Sequence, residues 1–231
     1  MSLFTADELV AIALSLKVAI VAALASLPFG IALGWLLARK RFPGKSLLDA
    51  LVHLPLVLPP VVVGYVLLVN FGSQGAIGKF LASFGIEFAF RWTGAALASA
   101  IMGFPLMVRA IRLSIEATDR RLEQAASTLG AGPWRVFCSI TLPLAWPGIV
   151  AGAVLAFAKA LGEFGATITF VSNIPGETQT LSSAIYGLLQ VPGGETSIWR
   201  LAMVAVGISL LALLLSEWLT RRSHASRREE D

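Results

Sequence analysis

The 231 residues contain one cysteine, two histidines and only 14% charged residues. A single cysteine, Cys138, excludes an internal disulfide and any multi-cysteine metal site, and it reads as a packing residue. His53 and His224 are too far apart in sequence to suggest a metal centre, and each reads as a surface or interfacial residue without a role. A soluble domain carries about a quarter charged residues, whereas 56% of this chain is hydrophobic and its mean hydropathy is positive, so its solvent is a bilayer. An embedded enzyme needs a convergent set of acid, base, nucleophile or metal ligands, and no such set is present. A phosphate loop is missing too. Gly44-Lys45-Ser46 ends like one, but the glycine required five residues before Gly44 is Arg39. The segment reads as a cytoplasmic turn with a basic flank. This chain is assigned no cofactor, and any ATP-driven work belongs to another chain.

Met1 to Leu9 carries Asp7 and Glu8 but no Lys or Arg, so it lacks the basic region of a cleavable signal peptide. The first apolar stretch is therefore expected to stay attached. A membrane helix needs about 20 mainly apolar residues, and five stretches qualify: 10–38, 48–72, 93–115, 146–171 and 198–219. The first is long enough to tilt or to lie partly along the surface, and Lys17 within it reads as a snorkelling side chain. The expectation is an all-α integral membrane protein forming one transmembrane domain, 1–231, with a cytoplasmic tail over 220–231. Thirteen of the eighteen Lys and Arg fall on one side of a five-helix arrangement. They are Arg39, Lys40, Arg41 and Lys45, then Arg109, Arg112, Arg120, Arg121 and Arg135, then Arg221, Arg222, Arg227 and Arg228. Positive loops stay inside, which predicts an outer N-terminus, a cytoplasmic C-terminus and outer loops near 73–92 and 172–197. The net charge of +4 then reflects topology and anionic lipid, with no need for nucleic acid.

Between the third and fourth stretches lies a polar, helix-forming island, 117–143. Leu122, Ala125, Ala126 and Leu129 follow the i, i+3, i+4, i+7 spacing of one helix face. Asp119 is placed to cap the start of this short helix, and Gly130 suits the left-handed residue that ends one. Nine residues after Gly130 comes Ile140-Thr141-Leu142-Pro143. One reading is an amphipathic helix on lipid, which Arg120, Arg121 and Arg135 favour; the other is a helix that docks into a partner.

Within the second stretch Pro55, Pro59 and Pro60 precede Gly64. Each interior proline removes a helix hydrogen bond, and loosened backbone at membrane depth persists only beside protein or a water-filled cavity. The segment reads either as the lining and gate of a path or as a static kink. In the fourth stretch Lys159 and Glu163 lie four residues apart, on one face of the predicted helix, either as a mutual ion pair or as a substrate contact. Thr167, Thr169, Ser172 and Asn173 follow with neutral hydrogen-bonding groups that serve a path or a helix end equally well. The centre of the outer loop, Leu181 to Val191, is too short to span and reads as a short re-entrant or surface helix.

The spacing Ala125-Ala126-x3-Gly130-x9-Ile140-x-Leu142-Pro143 resembles the cytoplasmic coupling loop of ABC importer permeases. In strict register Gln124 stands where that family usually has Glu, and Glu123 comes one residue early, so either could face the ATPase. Over nearly its whole length the chain resembles the membrane subunits of molybdate ABC importers. The resemblance rests on Phe42-Pro-Gly-Lys-Ser46, on His53-Leu-Pro-Leu-Val-Leu-Pro-Pro-Val-Val-Val-Gly64 and on Leu122-Glu-Gln-Ala-Ala-Ser-Thr-Leu-Gly-Ala-Gly132. Gly162-Glu-Phe-Gly-Ala-Thr-Ile-Thr-Phe170 and Ser172-Asn-Ile-Pro-Gly-Glu177 complete it. The proline-rich segment and Gly-Glu-Phe-Gly narrow it to the molybdate, tungstate and sulfate branch; Ser-Asn-Ile-Pro-Gly-Glu favours molybdate.

The resemblance implies a type I importer permease architecture of about five membrane helices plus a coupling helix, in a bacterial inner membrane. It implies a second copy of the chain, two cytoplasmic ATPase subunits that bind ATP and Mg, and an outer oxyanion-binding protein. It places ATPase coupling at Glu123, Gln124, Ala125, Ala126, Leu129, Gly130, Ile140, Leu142 and Pro143. A translocation path or gate is expected at Pro55, Pro59, Pro60, Gly64, Lys159, Glu163 and Thr167. Some relatives carry an additional N-terminal helix and some an appended regulatory domain; neither is expected here. Sulfate or thiosulfate is the nearest rival substrate. A proton-coupled secondary transporter using Lys159 and Glu163 is the more distant alternative, since such folds are commonly built from internal repeats and none is evident.

Overall fold

Thr5 opens the first helix with a capping box: its hydroxyl accepts from the Glu8 N–H at 3.3 Å while Glu8 Oε2 accepts from the Thr5 N–H at 2.8 Å. The helix that follows, α1, runs Ala6–Arg39. In this computed structural model residues 4–228 are described, with side chains as far as Trp218 apart from Ser216. The predicted tail cations Arg221, Arg222, Arg227 and Arg228, with His224, fall among side chains outside that description, as do residues 229–231 altogether.

The remaining helices are α2 (Lys45–Val57), α3 (Pro60–Phe71), α4 (Ala76–Ala82), α5 (Trp92–Ala117), α6 (Arg120–Thr128), α7 (Pro133–Val136), α8 (Leu142–Leu161), α9 (Gly165–Val171), α10 (Leu181–Leu188) and α11 (Glu195–Arg228). A π-helical turn, Phe137–Thr141, joins α7 to α8. There is no strand among the described residues. Four helical runs are long and apolar enough to cross a membrane, or five if the bent pair α2–α3 counts as one span.

The centre is a three-helix unit, α1, α5 and α8, held together by small residues. A Cβ on Gly34 of α1 would stand 2.9 Å from Ile111 Cγ2 of α5, and one on Gly152 of α8 would stand 2.9 Å from the Met107 carbonyl oxygen. Where lipid supplies no hydrophobic drive between helices, such close backbone approach supplies the packing. Around this unit α3 pairs with α9, and α10 and α11 close the other flank. Ser15 of α1 links the two sides, donating to the Ala11 carbonyl at 2.8 Å and accepting from the Leu181 N–H at 2.6 Å.

Two expected spans differ in the structure. The stretch 48–72 is broken at Leu58 and Pro59, and its halves meet at 109°. Pro59 and Pro60 cannot donate to the carbonyls of Pro55 and Leu56, so the ladder ends there. The stretch 146–171 divides into α8 and α9 at Gly162–Phe164, and its helical run begins earlier, at Pro133. Cys138, expected in the packing, is exposed. The π turn inserts an extra residue into the helix, which moves following side chains by about 100° around the axis. Lys17 places its ammonium 3.6 Å from the centroid of the Trp92 ring.

Candidate functional site

The first part of the island folds as α6, and both ends of that helix are capped. Asp119 accepts from the Arg121 N–H at 2.9 Å. At the other end Gly130 has φ +87°, its N–H donates to the Ser127 carbonyl at 3.0 Å, and the Ala131 N–H donates to the Ala126 carbonyl at 3.0 Å. That bond pair is the Schellman arrangement, which needs a residue without a Cβ penalty at the left-handed position. No residue of α6 is buried. The stripe faces away from the chain, with Leu129 88% exposed and Leu122 49% exposed. Covering one such leucine is worth about 1.5–3 kcal/mol, and nothing among the described residues covers these two.

Glu123 and Gln124 point in different directions. Glu123 turns inward: its Oε1 accepts from Arg39 Nε at 3.0 Å and from Thr141 Oγ1 at 2.8 Å, with Arg39 Nη2 at 2.9 Å. Gln124 is exposed. Beside Arg39 and Glu123 lies a cleft of about 640 Å³ between the end of α1, α6 and the π turn, with Gln124 and Ser127 on its wall. Ile140 and Leu142 are half-buried and Pro143 is exposed. Pro143 has no N–H for the turn before it, and that turn widens: the Leu142 N–H reaches the Phe137 carbonyl, five residues back. Thr141, buried in that turn, is thereby held against Glu123.

The second set of predicted residues gathers at the far end of α8, whose 20 residues span about 30 Å. Lys159 in its last turn places Nζ 2.8 Å from Glu163 Oε2, and the Glu163 side chain is 1% exposed. Glu163 lies beyond the helix end, in the break rather than on the expected continuous helix. Its Oε1 accepts from the Ala166 N–H at 3.0 Å in the first turn of α9, where the helix dipole favours a carboxylate. Thr167 is buried and donates to the Phe164 carbonyl at 2.9 Å, a local helix-end bond.

Across from this turn stands the start of α3. A Cβ on Gly64 would overlap the Ala166 carbonyl oxygen, and one on Gly165 would stand 2.7 Å from Pro60 Cβ. Pro60, Gly64 and the Gly-Glu-Phe-Gly segment thus form one contact. Pro59 sits exposed at the bend. Pro55 is elsewhere: with Leu51, Val21 and Trp92 it lines an apolar cavity of about 710 Å³ between α1, α2 and α5.

Sequence reasoning did not single out Arg39, Thr141, Arg120 or Gly165 as site residues. Thr141 stood inside the quoted Ile-Thr-Leu-Pro and Arg39 among the loop cations, but their pairing with Glu123 is non-local. The described residues hold no group of three or more His, Cys, Asp or Glu able to bind a metal.

A family model described as "Binding-protein-dependent transport system inner membrane component" matches residues 30–224. The chain belongs to this family. The permease is 63% identical over 222 residues to the molybdenum transport system permease protein ModB of Escherichia coli (strain K12), covering 96% of this chain and 97% of that protein. It is more distant from the sulfate transport system permease protein CysT of the same organism, at 40% identity over 84% of this chain and 70% of that one. Among solved structures it resembles a chain of a bacterial ABC transporter involved in the import of the acidic polysaccharide alginate, with TM-score 0.75 at 20% identity over 95% of this chain and 80% of that chain. That likeness bears out the type I importer permease fold.

Proposed function

We propose that this permease carries molybdate into the cytoplasm as the membrane subunit of an ATP-driven importer. The observation that carries the substrate is the likeness to ModB over nearly the whole of both chains. Two copies form the pore, two copies of a cytoplasmic ATPase supply the energy, and an outer binding protein delivers the oxyanion. The unpartnered stripe of Leu122, Ala125, Ala126 and Leu129 is the surface that enters the ATPase, with Gln124 beside it and Ile140, Leu142 and Pro143 fixing the following turn. The N-terminus is then outside and the C-terminus cytoplasmic, in a bacterial inner membrane.

The path runs past the contact of α3 with α9. The broken ladder at Pro59 and Pro60 leaves carbonyl groups that hydrocarbon does not tolerate, so a second copy or a water-filled path covers them. Pro55 and Gly64 shape the two arms of the bend, and Lys159, Glu163 and Thr167 hold the turn against which α3 rests. With Glu163 neutralised by Lys159, a dianion meets no uncompensated like charge there. Alternating access follows when nucleotide binding favours one arrangement of the paired ATPases over the other, since a ligand shifts an equilibrium only through differential affinity.

The test is ATP-dependent uptake of labelled molybdate into proteoliposomes holding the permease, its ATPase and its binding protein, with excess sulfate as competitor. Molybdate uptake that resists sulfate is expected. Uptake abolished by sulfate reassigns the substrate to the sulfate branch, and uptake independent of ATP with an intact complex rejects the importer.

A further inference from the structure

We infer that Arg39 and Glu123 form the strut through which movement of α6 reaches the transmembrane helices, an inference that rests on the docking role proposed for α6. The helix has no apolar seat among the described residues of its own chain, because none of its residues is buried. Apart from the covalent turns at either end, its side-chain ties to the membrane helices are polar, and they converge on one place. Glu123 Oε1 accepts from Arg39 of α1 and from Thr141 of the π turn leading into α8. Arg39 Nη2 also donates to the Thr118 carbonyl just past α5 at 3.1 Å, and Arg120 Nη2 donates to the Ala38 carbonyl of α1 at 3.2 Å. The ends of α1 and α5, the start of α8, and α6 are thus joined in one knot.

Burial makes this knot stiffer than an ordinary surface pair. The Arg39 side chain is 7% exposed and that of Glu123 19%. Hydrogen bonds between ionised groups are about twice as strong as neutral ones, and little water competes here. The contacts of α6 with α7 and the π turn lead into α8. The Arg39–Glu123 tie, with the single Arg120 bond to the Ala38 carbonyl beside it, carries a push on α6 into α1, which contributes one face of the central three-helix unit. Glu123 is thereby a positioning residue, acting on the pore through Arg39, while the exposed Gln124 is left for the ATPase surface.

The test uses the complete importer with Arg39→Gln, Glu123→Gln and the reciprocal Arg39→Glu/Glu123→Arg, measuring molybdate imported per ATP hydrolysed. Each single change is expected to lower that ratio about tenfold, with the ATPase still co-purifying, and the reciprocal pair to restore much of it. A subunit with merely weakened packing lowers yield without changing the ratio. Thr141→Val, which removes one donor without changing size, is expected to lower the ratio about threefold, and it decides the matter if the arginine variants do not insert. Ratios unchanged in Thr141→Val and in whichever single variants assemble overturn the strut. A wild-type complex without ATP-dependent uptake overturns the docking reading instead.

Discussion

Gly130 carries a backbone requirement beside the proposed docking surface. Its φ of +87° and the two bonds of the helix end leave open space where a Cβ would go. A substitution there therefore meets backbone strain of about 1 kcal/mol rather than a clash. Gly130→Asp adds a carboxylate at the negative helix end, so it is expected to leave the subunit in the membrane while reducing ATPase co-purification about tenfold. Gly130→Asn, which tolerates the left-handed region, should keep most of it. Equal retention by the two variants removes the docking assignment.

Lys159 and Glu163 make a different case, because the carboxylate is buried and the ammonium is 31% exposed on its side chain. Removing one partner of a buried pair costs about 3–5 kcal/mol, a figure that the partial exposure of Lys159 reduces. Lys159→Met is expected to lower the melting temperature of the purified subunit clearly. The double variant Lys159→Met/Glu163→Gln should recover part of that loss, since the amide oxygen still accepts from Ala166. A double variant no more stable than the single one places the energy somewhere other than the ion pair.

Among the elements, α6 was legible from sequence because its determinants are local: a capping aspartate, an i, i+3, i+4, i+7 stripe and a terminal glycine within about a dozen residues. The tie from Arg39 to Glu123 was not, because it joins positions 84 residues apart. The break between α8 and α9 was hidden for another reason. Apolar composition continues through Gly162 and Gly165, and the features at the stop, the Glu163 carboxylate turned to the Ala166 N–H and Gly165 fitted against Pro60 of a different element, emerge only in the folded chain. In α2–α3 the prolines announced a disturbance but not its size, since hydrogen-bond loss predicts a weak point and packing sets the 109° bend. The contact that holds this bend is testable as an element. Gly64→Ala drives a methyl group into the Ala166 carbonyl, an overpacking of about 1–3 kcal/mol if α3 shifts away from α9. Uptake is expected to fall about tenfold with the ATPase still bound; normal uptake excludes this contact from the path.

For the whole molecule the open matter is which way the bundle stands in the bilayer, and the chain carries its own probe. Cys138 is the only cysteine, and it lies exposed in the π turn beside α6. Around it Arg39, Arg120 and Arg135 collect at one end of the bundle, whereas the Lys17 ammonium over Trp92 and the Glu8–Arg200 ion pair at 2.7 Å lie toward the other, near the starts of α5 and α11. Basic residues flanking short loops remain on the cytoplasmic side, so the orientation proposed above puts that first end inside. A membrane-impermeant maleimide should therefore modify Cys138 in inside-out vesicles and leave it untouched in intact right-side-out vesicles, with Cys138→Ser as the blank. Added ATPase should slow the reaction in inside-out vesicles, because docking on α6 shields the turn next to it. Modification from the outer face reverses the topology and with it the ATPase assignment. Modification from the inner face at an unchanged rate with bound ATPase keeps the topology and moves the docking surface away from the π turn.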